Sequence, residues 1–156
     1  MNKFEFTKKT LSEGKKHHVY IASPFFNPNQ VTRVELVETL LEKLGISYFS
    51  PRKHSQLGDI QNPEERAKIF ALNEESISAA EFVIAITDDK DTGTIWEAGC
   101  AFARNIPVVY VAFSLLPTQS FNLMLSESGY AVCRNKEQLE HVLTTGESIK
   151  YNGLSE

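Results

Sequence analysis

The sequence runs to 156 residues, enough for one domain to bury a core without disulfide or metal staples. Hydrophobic residues make up 42% and charged residues 23%, the balance of an ordinary globular chain. A net charge of −4 argues against a nucleic-acid or anionic-membrane surface, which requires clustered Lys and Arg, and no apolar run approaches a membrane span.

Residues 1–16 are polar and Lys-rich, with no signal-peptide core. They read as a flexible extension ahead of a single domain spanning 17–156. The only cysteines, Cys100 and Cys133, form no CxxC, so both are expected reduced and the protein cytoplasmic. His17, His18, His54 and His141 show no metal-ligand spacing.

From His18 onward, short β-branched or aromatic runs alternate with helical stretches. Strands are predicted at His18–Ala22, Ile46–Ser50, Phe82–Thr87 and Pro107–Phe113, with a weaker one at Tyr130–Cys133. Their continuous apolar character fits strands covered on both faces, as in a parallel sheet. Asn27-Pro28-Asn29-Gln30 and Asn62-Pro63-Glu64-Glu65 each place Asn at N-cap, Pro at the first helical position and Gln or Glu two residues later. Asn135-Lys136-Glu137-Gln138 repeats the pattern without Pro, and the first helix is expected to run to Leu44 and stop at Gly45. Strand alternating with helix predicts an α/β fold: a three-layer α/β/α sandwich around a mostly parallel, Rossmann-like (flavodoxin-like) sheet of about five strands.

In such sheets ligands bind beyond the carboxyl ends of the strands. Three loops fall there: 23–29, 50–61 and 88–94. The first contains no GxGxxG, which disfavours a dinucleotide. In the third, Gly93 permits a tight turn and a helix is expected from about Thr94 to Arg104. Glu97 then lies in its first turn, where the helix dipole favours an ionised carboxylate, with Asp91 in reach of the same cleft. Such a carboxylate can attack an electrophilic sugar carbon. Thr94-Ile95-Trp96-Glu97 is equally a capping box, and spacing alone favours that reading because capping boxes are common. The cluster Asp88, Asp89, Asp91 reads as a solvated loop, and no bidentate Glu follows at position twelve to make it a calcium loop. Asn73, at four-residue spacing between Ile69 and Ile77, interrupts an apolar stripe and needs a partner if buried. Trp96 reads as packing, and Arg52 and His54 as exposed.

Four segments together resemble the nucleoside 2-deoxyribosyltransferase family: Val19–Phe26 (VYIASPFF), Phe49–Arg52 (FSPR), Asp91–Gly99 (DTGTIWEAG) and Phe121–Met124 (FNLM). The resemblance covers about His18 to Arg134. It implies that Glu97 is the nucleophile, that Tyr20 orients it, and that Asp91 holds a sugar hydroxyl. Asn122, with Met124 beside it, would reach the deoxyribose 5′-hydroxyl in a neighbouring subunit's site, and Phe26 would wall the base. Many members carry an Asp where Asn73 stands; an amide does not titrate, so either the leaving base takes its proton from elsewhere or from solvent, or Asn73 binds the base by amide hydrogen bonds, and the departure leaves base preference open. The implied partners are 2′-deoxynucleosides and free nucleobases, in a homo-oligomer of dimers, up to a hexamer, with shared sites. No metal or organic cofactor is implied. The expected reaction is a double displacement that parallels the retaining glycosidases. Its rivals are a nucleoside 5′-monophosphate hydrolase of the same superfamily and a non-catalytic nucleoside sensor.

Overall fold

Residues that alternate along a strand point to opposite faces of a sheet, so a strand apolar at every position must be covered on both sides. In the computed structural model, which describes residues 19–55 and 58–156, this condition is met throughout. The expected extension over 1–16 lies outside the described residues, as do His17 and His18.

Five strands, β1 (Val19–Ala22), β2 (Tyr48–Phe49), β3 (Phe82–Ile86), β4 (Val108–Val111) and β5 (Ala131–Cys133), form one parallel sheet in the order β2-β1-β3-β4-β5. The helices are α1 (Pro28–Lys43), α2 (Pro51–His54), α3 (Pro63–Ala79), α4 (Thr92–Ala103), α5 (Leu123–Ser128) and α6 (Lys136–Thr145). One face packs Val19, Ile21, Phe82, Ile84, Val109 and Val111 against Val34, Val37 and Leu41 of α1 and Leu139 and Val142 of α6. The other packs Tyr20, Phe49, Val83, Ala85 and Tyr110 against Ile77 of α3 and Ala98 and Ala101 of α4. Each fully buried Val, Leu or Ile contributes about 1.5–3 kcal/mol, so the two faces together outweigh what either could supply alone. The three-layer α/β/α sandwich expected from the sequence is the fold observed.

The caps behave as their chemistry dictates. Asn27, Asn62 and Asn135 each accept backbone N–H groups of the following turn. Gly45 takes a left-handed φ of 68° just past α1. Strand ends differ more. The edge strand β2 keeps only Tyr48–Phe49 because the Ile46 N–H is taken by the Leu41 carbonyl as α1 unwinds, and Ser50 already stands at the N-cap position of α2. After α6 the chain returns to the entrance of α5, where Phe121 pairs parallel with Ser155. Among the described residues no helix is long and apolar enough to cross a membrane.

Candidate active site

The sheet order reverses direction between β1 and β3: the chain goes from β1 outward to β2, then returns to the other side of β1. In open parallel sheets such a switch point, at the carboxyl ends of the strands, is where ligands bind. Tyr20 of β1 is fully buried and its ring stacks on Phe49 at 5.7 Å. Its hydroxyl donates to Glu97 Oε1 at 2.8 Å.

Glu97 reaches a strand tyrosine because the inner face of α4 is small. Thr94, Ala98 and Ala101 are its buried residues, which lets the helix axis approach the sheet. The helix start corrects the sequence reading. Asp91, not Thr94, is the N-cap, accepting the Thr94 N–H at 2.8 Å and the Thr94 hydroxyl at 3.0 Å. Glu97 is therefore the sixth residue of α4, in its second turn. The capping box does not form: Glu97 is bonded to Tyr20 instead. Nor does a helix dipole keep Glu97 ionised. Burial pushes its carboxyl up to about 7, the Tyr20 hydrogen bond pulls it down, and the nearby Asp91 charge pushes it up again. Burial, then the adjacent carboxylate, holds the Tyr20 phenol far above its ordinary range, so it stays a donor.

The remaining expected residues fall in two places. Phe26, 76% exposed, sits on the β1–α1 loop with its ring against Phe25. The Phe26 N–H donates to Gln30 Oε1 at 2.8 Å, and α1 is tied to the β3–α4 loop: Gln30 donates to Asp89 at 2.9 Å and Arg33 pairs with Asp89 at 3.0 Å. Asn73 is half-buried on α3, and its Oδ1 accepts the buried Ser55 hydroxyl at 2.6 Å, which supplies the partner its position requires. Asn122 and Met124 lie elsewhere, at the start of α5. Asn122 Oδ1 caps the helix through the N–H groups of Met124 and Leu125, and Met124 is 72% exposed. Asn122 shares a cavity of about 420 Å³ with Asp88, Lys90, Ile95, Ser120 and Glu156, and neither Tyr20 nor Glu97 lines it.

Sequence reasoning missed Phe49, Ser55 and Asp89 as parts of this architecture. Phe49 meets Tyr20 only because the register aligns them on neighbouring strands. Arg52 is engaged, not exposed: it pairs with Glu35 at 3.4 Å and with the buried Glu38, which also accepts the Ser50 hydroxyl at 2.7 Å. His54 is exposed as expected, its ring near Phe49. Trp96, half-exposed, packs on Phe70 of α3 at 5.4 Å between ring centroids. Among the described residues no group of three His, Cys, Asp or Glu side chains is placed to hold a metal ion.

Comparison with known proteins bears on the fold and the family. The sequence profile described as nucleoside 2-deoxyribosyltransferase matches residues 19–140. No curated protein matches the chain significantly by sequence. Among solved structures, the 2-deoxyribosyltransferase of the psychrotolerant bacterium Bacillus psychrosaccharolyticus superposes with a TM-score of 0.78 at 30% identity, over 86% of this chain and 99% of that one. A conserved protein of Enterococcus faecalis V583 (TM-score 0.52, 19% identity, 90% of each chain) shares the fold. So does the CMP N-glycosidase of Clostridium botulinum (TM-score 0.54, 15% identity, 81% of this chain and 97% of that one).

Proposed function

The chain belongs to the nucleoside 2-deoxyribosyltransferase family, and on that premise we propose that it moves 2-deoxyribose between nucleobases through a glycosyl ester on Glu97. The observation that carries the reading is the Tyr20–Glu97 hydrogen bond beside the sheet's switch point. A partly buried carboxyl, raised to about 7 by desolvation and bonded to a tyrosine hydroxyl, is neither a cap nor a surface charge. Near pH 7 a large fraction is ionised and nucleophilic, while its basicity exceeds that of an ordinary carboxylate.

In this scheme Tyr20 fixes Oε1 and leaves Oε2 to attack C1′ of the donor. The C1′–N bond breaks, its electron pair departs with the base, and the base takes a proton from solvent. Asn73, its oxygen engaged by Ser55, offers an N–H to the base edge. A nitrogen of the incoming base then attacks C1′, the Glu97 carboxylate leaves, and the base releases one N–H proton to solvent. Each displacement inverts C1′, so the product retains the starting configuration. The missing 2′-hydroxyl eases formation of the oxocarbenium-like transition state.

Incubation of 2′-deoxyinosine with adenine in phosphate-free buffer tests the reading. Deoxyadenosine should accumulate, and initial rates at several adenine levels should give parallel double-reciprocal lines, the mark of a ping-pong sequence. An absolute requirement for inorganic phosphate would assign a phosphorylase instead. Faster hydrolysis of deoxynucleoside 5′-monophosphates than exchange of deoxynucleosides would assign the hydrolase.

The working unit in this proposal is a homo-oligomer in which Asn122 and Met124 complete a neighbour's site. Within one chain both are exposed, and Asn122 lines a cavity that Glu97 does not. Mixing Glu97→Ala and Asn122→Ala proteins after dissociation and reassociation should raise activity well above the mean of the two. With random pairing about a two-fold axis, roughly a quarter of sites become intact. If both residues served the same chain's site, no mixture would exceed its parents despite proven subunit exchange.

A further inference from the structure

A segment remote from Tyr20 and Glu97 ties together two loops that the proposed reaction uses. Tyr151 anchors it: its ring packs on Phe121 at 5.4 Å, and the Arg134 guanidinium lies 5.8 Å from the ring centre. The Tyr151 hydroxyl donates to the Leu154 carbonyl at 2.7 Å, which curls the segment. Glycine is required inside that curl, since a Cβ at Gly153 would run into the Tyr151 hydroxyl. Beyond it the backbone pairs with the turn that precedes α5. Phe121 N–H donates to Leu154 O at 2.9 Å, Glu156 N–H to Phe121 O at 3.2 Å, and Leu123 N–H to Glu156 O at 2.9 Å. These bonds bracket Asn122 on both sides, and the last satisfies a first-turn N–H of α5 that has no partner within the helix.

The side chain of Glu156 then crosses the cavity. It accepts from Ser120 Oγ at 2.9 Å and from Lys90 Nζ at 2.9 Å. Lys90 is one of two non-glycine residues with positive φ among those described, at 51°, and it immediately precedes Asp91, the cap of the helix that carries Glu97. A residue held in the left-handed region requires surrounding contacts to keep it there.

We propose that Glu156 is a positioning residue: through Lys90 and the Phe121–Leu123 backbone, it fixes the Asp91 loop and the Asn122 turn relative to each other, and so sets how the sugar hydroxyls are held. The inference rests on the proposed roles of Asp91 and Asn122 as sugar-binding groups. Because the Lys90 and Glu156 side chains are both solvent-exposed, the charge pair alone is a weak link, and the backbone pairing does most of the holding.

The test compares kcat/KM for exchange with 2′-deoxyadenosine and with 2′,5′-dideoxyadenosine, which lacks the 5′-hydroxyl. Wild-type protein should favour the hydroxylated donor by about tenfold or more. Glu156→Pro removes both the carboxylate and the N–H donor to Phe121, and should shrink that preference to about twofold. Lys90→Glu should shrink it by a smaller factor, and adding Glu156→Lys to Lys90→Glu should restore at least half of it. A structural role alone would lower both donors equally, so an unchanged preference in both single variants overturns the proposal. Should Glu156→Pro fail to fold, the Lys90 and Glu156 charge-reversal series still decides, because both side chains are exposed. If wild-type protein exchanges neither donor, the deoxyribosyltransferase reading falls and this proposal with it. Exchange without a 5′-hydroxyl preference overturns this proposal alone.

Discussion

Glu97→Gln should abolish base exchange, by about four orders of magnitude or more in kcat, while making the folded protein more stable in alkaline buffer. The amide keeps an oxygen for the Tyr20 hydroxyl but cannot attack C1′. The stability gain follows from the raised carboxyl. Glu97 titrates near 7 when folded, against about 4.3 in an unfolded chain, so the native state binds its proton more tightly. That preference favours folding fully at pH below the unfolded value and is lost as pH rises through about 7. Above that, the native protein carries a desolvated carboxylate at a cost on the order of 3–4 kcal/mol. The uncharged amide escapes it. Thermal unfolding at about pH 8 should show Glu97→Gln melting higher by roughly 5 °C, with a much smaller gap near pH 5. Substantial residual exchange would remove Glu97 as the nucleophile. Equal melting temperatures at both pH values would show that the carboxyl titrates normally.

Tyr20→Phe should lower kcat by about 100-fold and move the pH profile as well. In the wild type, the rate should climb as pH rises through about 7, following ionisation of Glu97. The Tyr20 hydrogen bond stabilises the charged carboxylate and lowers its pKa. Removing it leaves burial and the Asp91 charge unopposed, so the ascending limb should shift to higher pH. The ring itself stays stacked on Phe49, which keeps the fold intact. A variant with reduced rate and an unmoved limb would show that Tyr20 packs without tuning. An unchanged rate would remove it from the site.

Much of this was legible in the chain because the responsible forces are local. Asn27, Asn62 and Asn135 cap helices through groups two or three residues away, and Gly45 ends α1 for lack of a Cβ. Strands apolar at every position announced a sheet covered on both faces. The start of α4 was misread because Asp91 and Thr94 are both acceptable N-caps by residue type. Asp91 takes the Thr94 N–H that a Thr94 capping box would have given to Glu97, and Glu97 is bound by Tyr20 across 77 residues of sequence.

By itself, then, the sequence determined the strands, the four longer helices, the parallel three-layer fold and the family, since each depends on residue type at short spacing; the short helices α2 and α5 were not read from it. Tertiary structure alone decided the chemistry of the site. It set the β1–β2 register that stacks Phe49 on Tyr20, the close approach of α4 that buries Glu97 and lifts its carboxyl, and the Ser55 partner of Asn73. It also decided that Asn122 and Glu97 line different places in one chain. A pKa depends on solvation and on charges gathered from several elements, and those quantities exist only once the elements have packed.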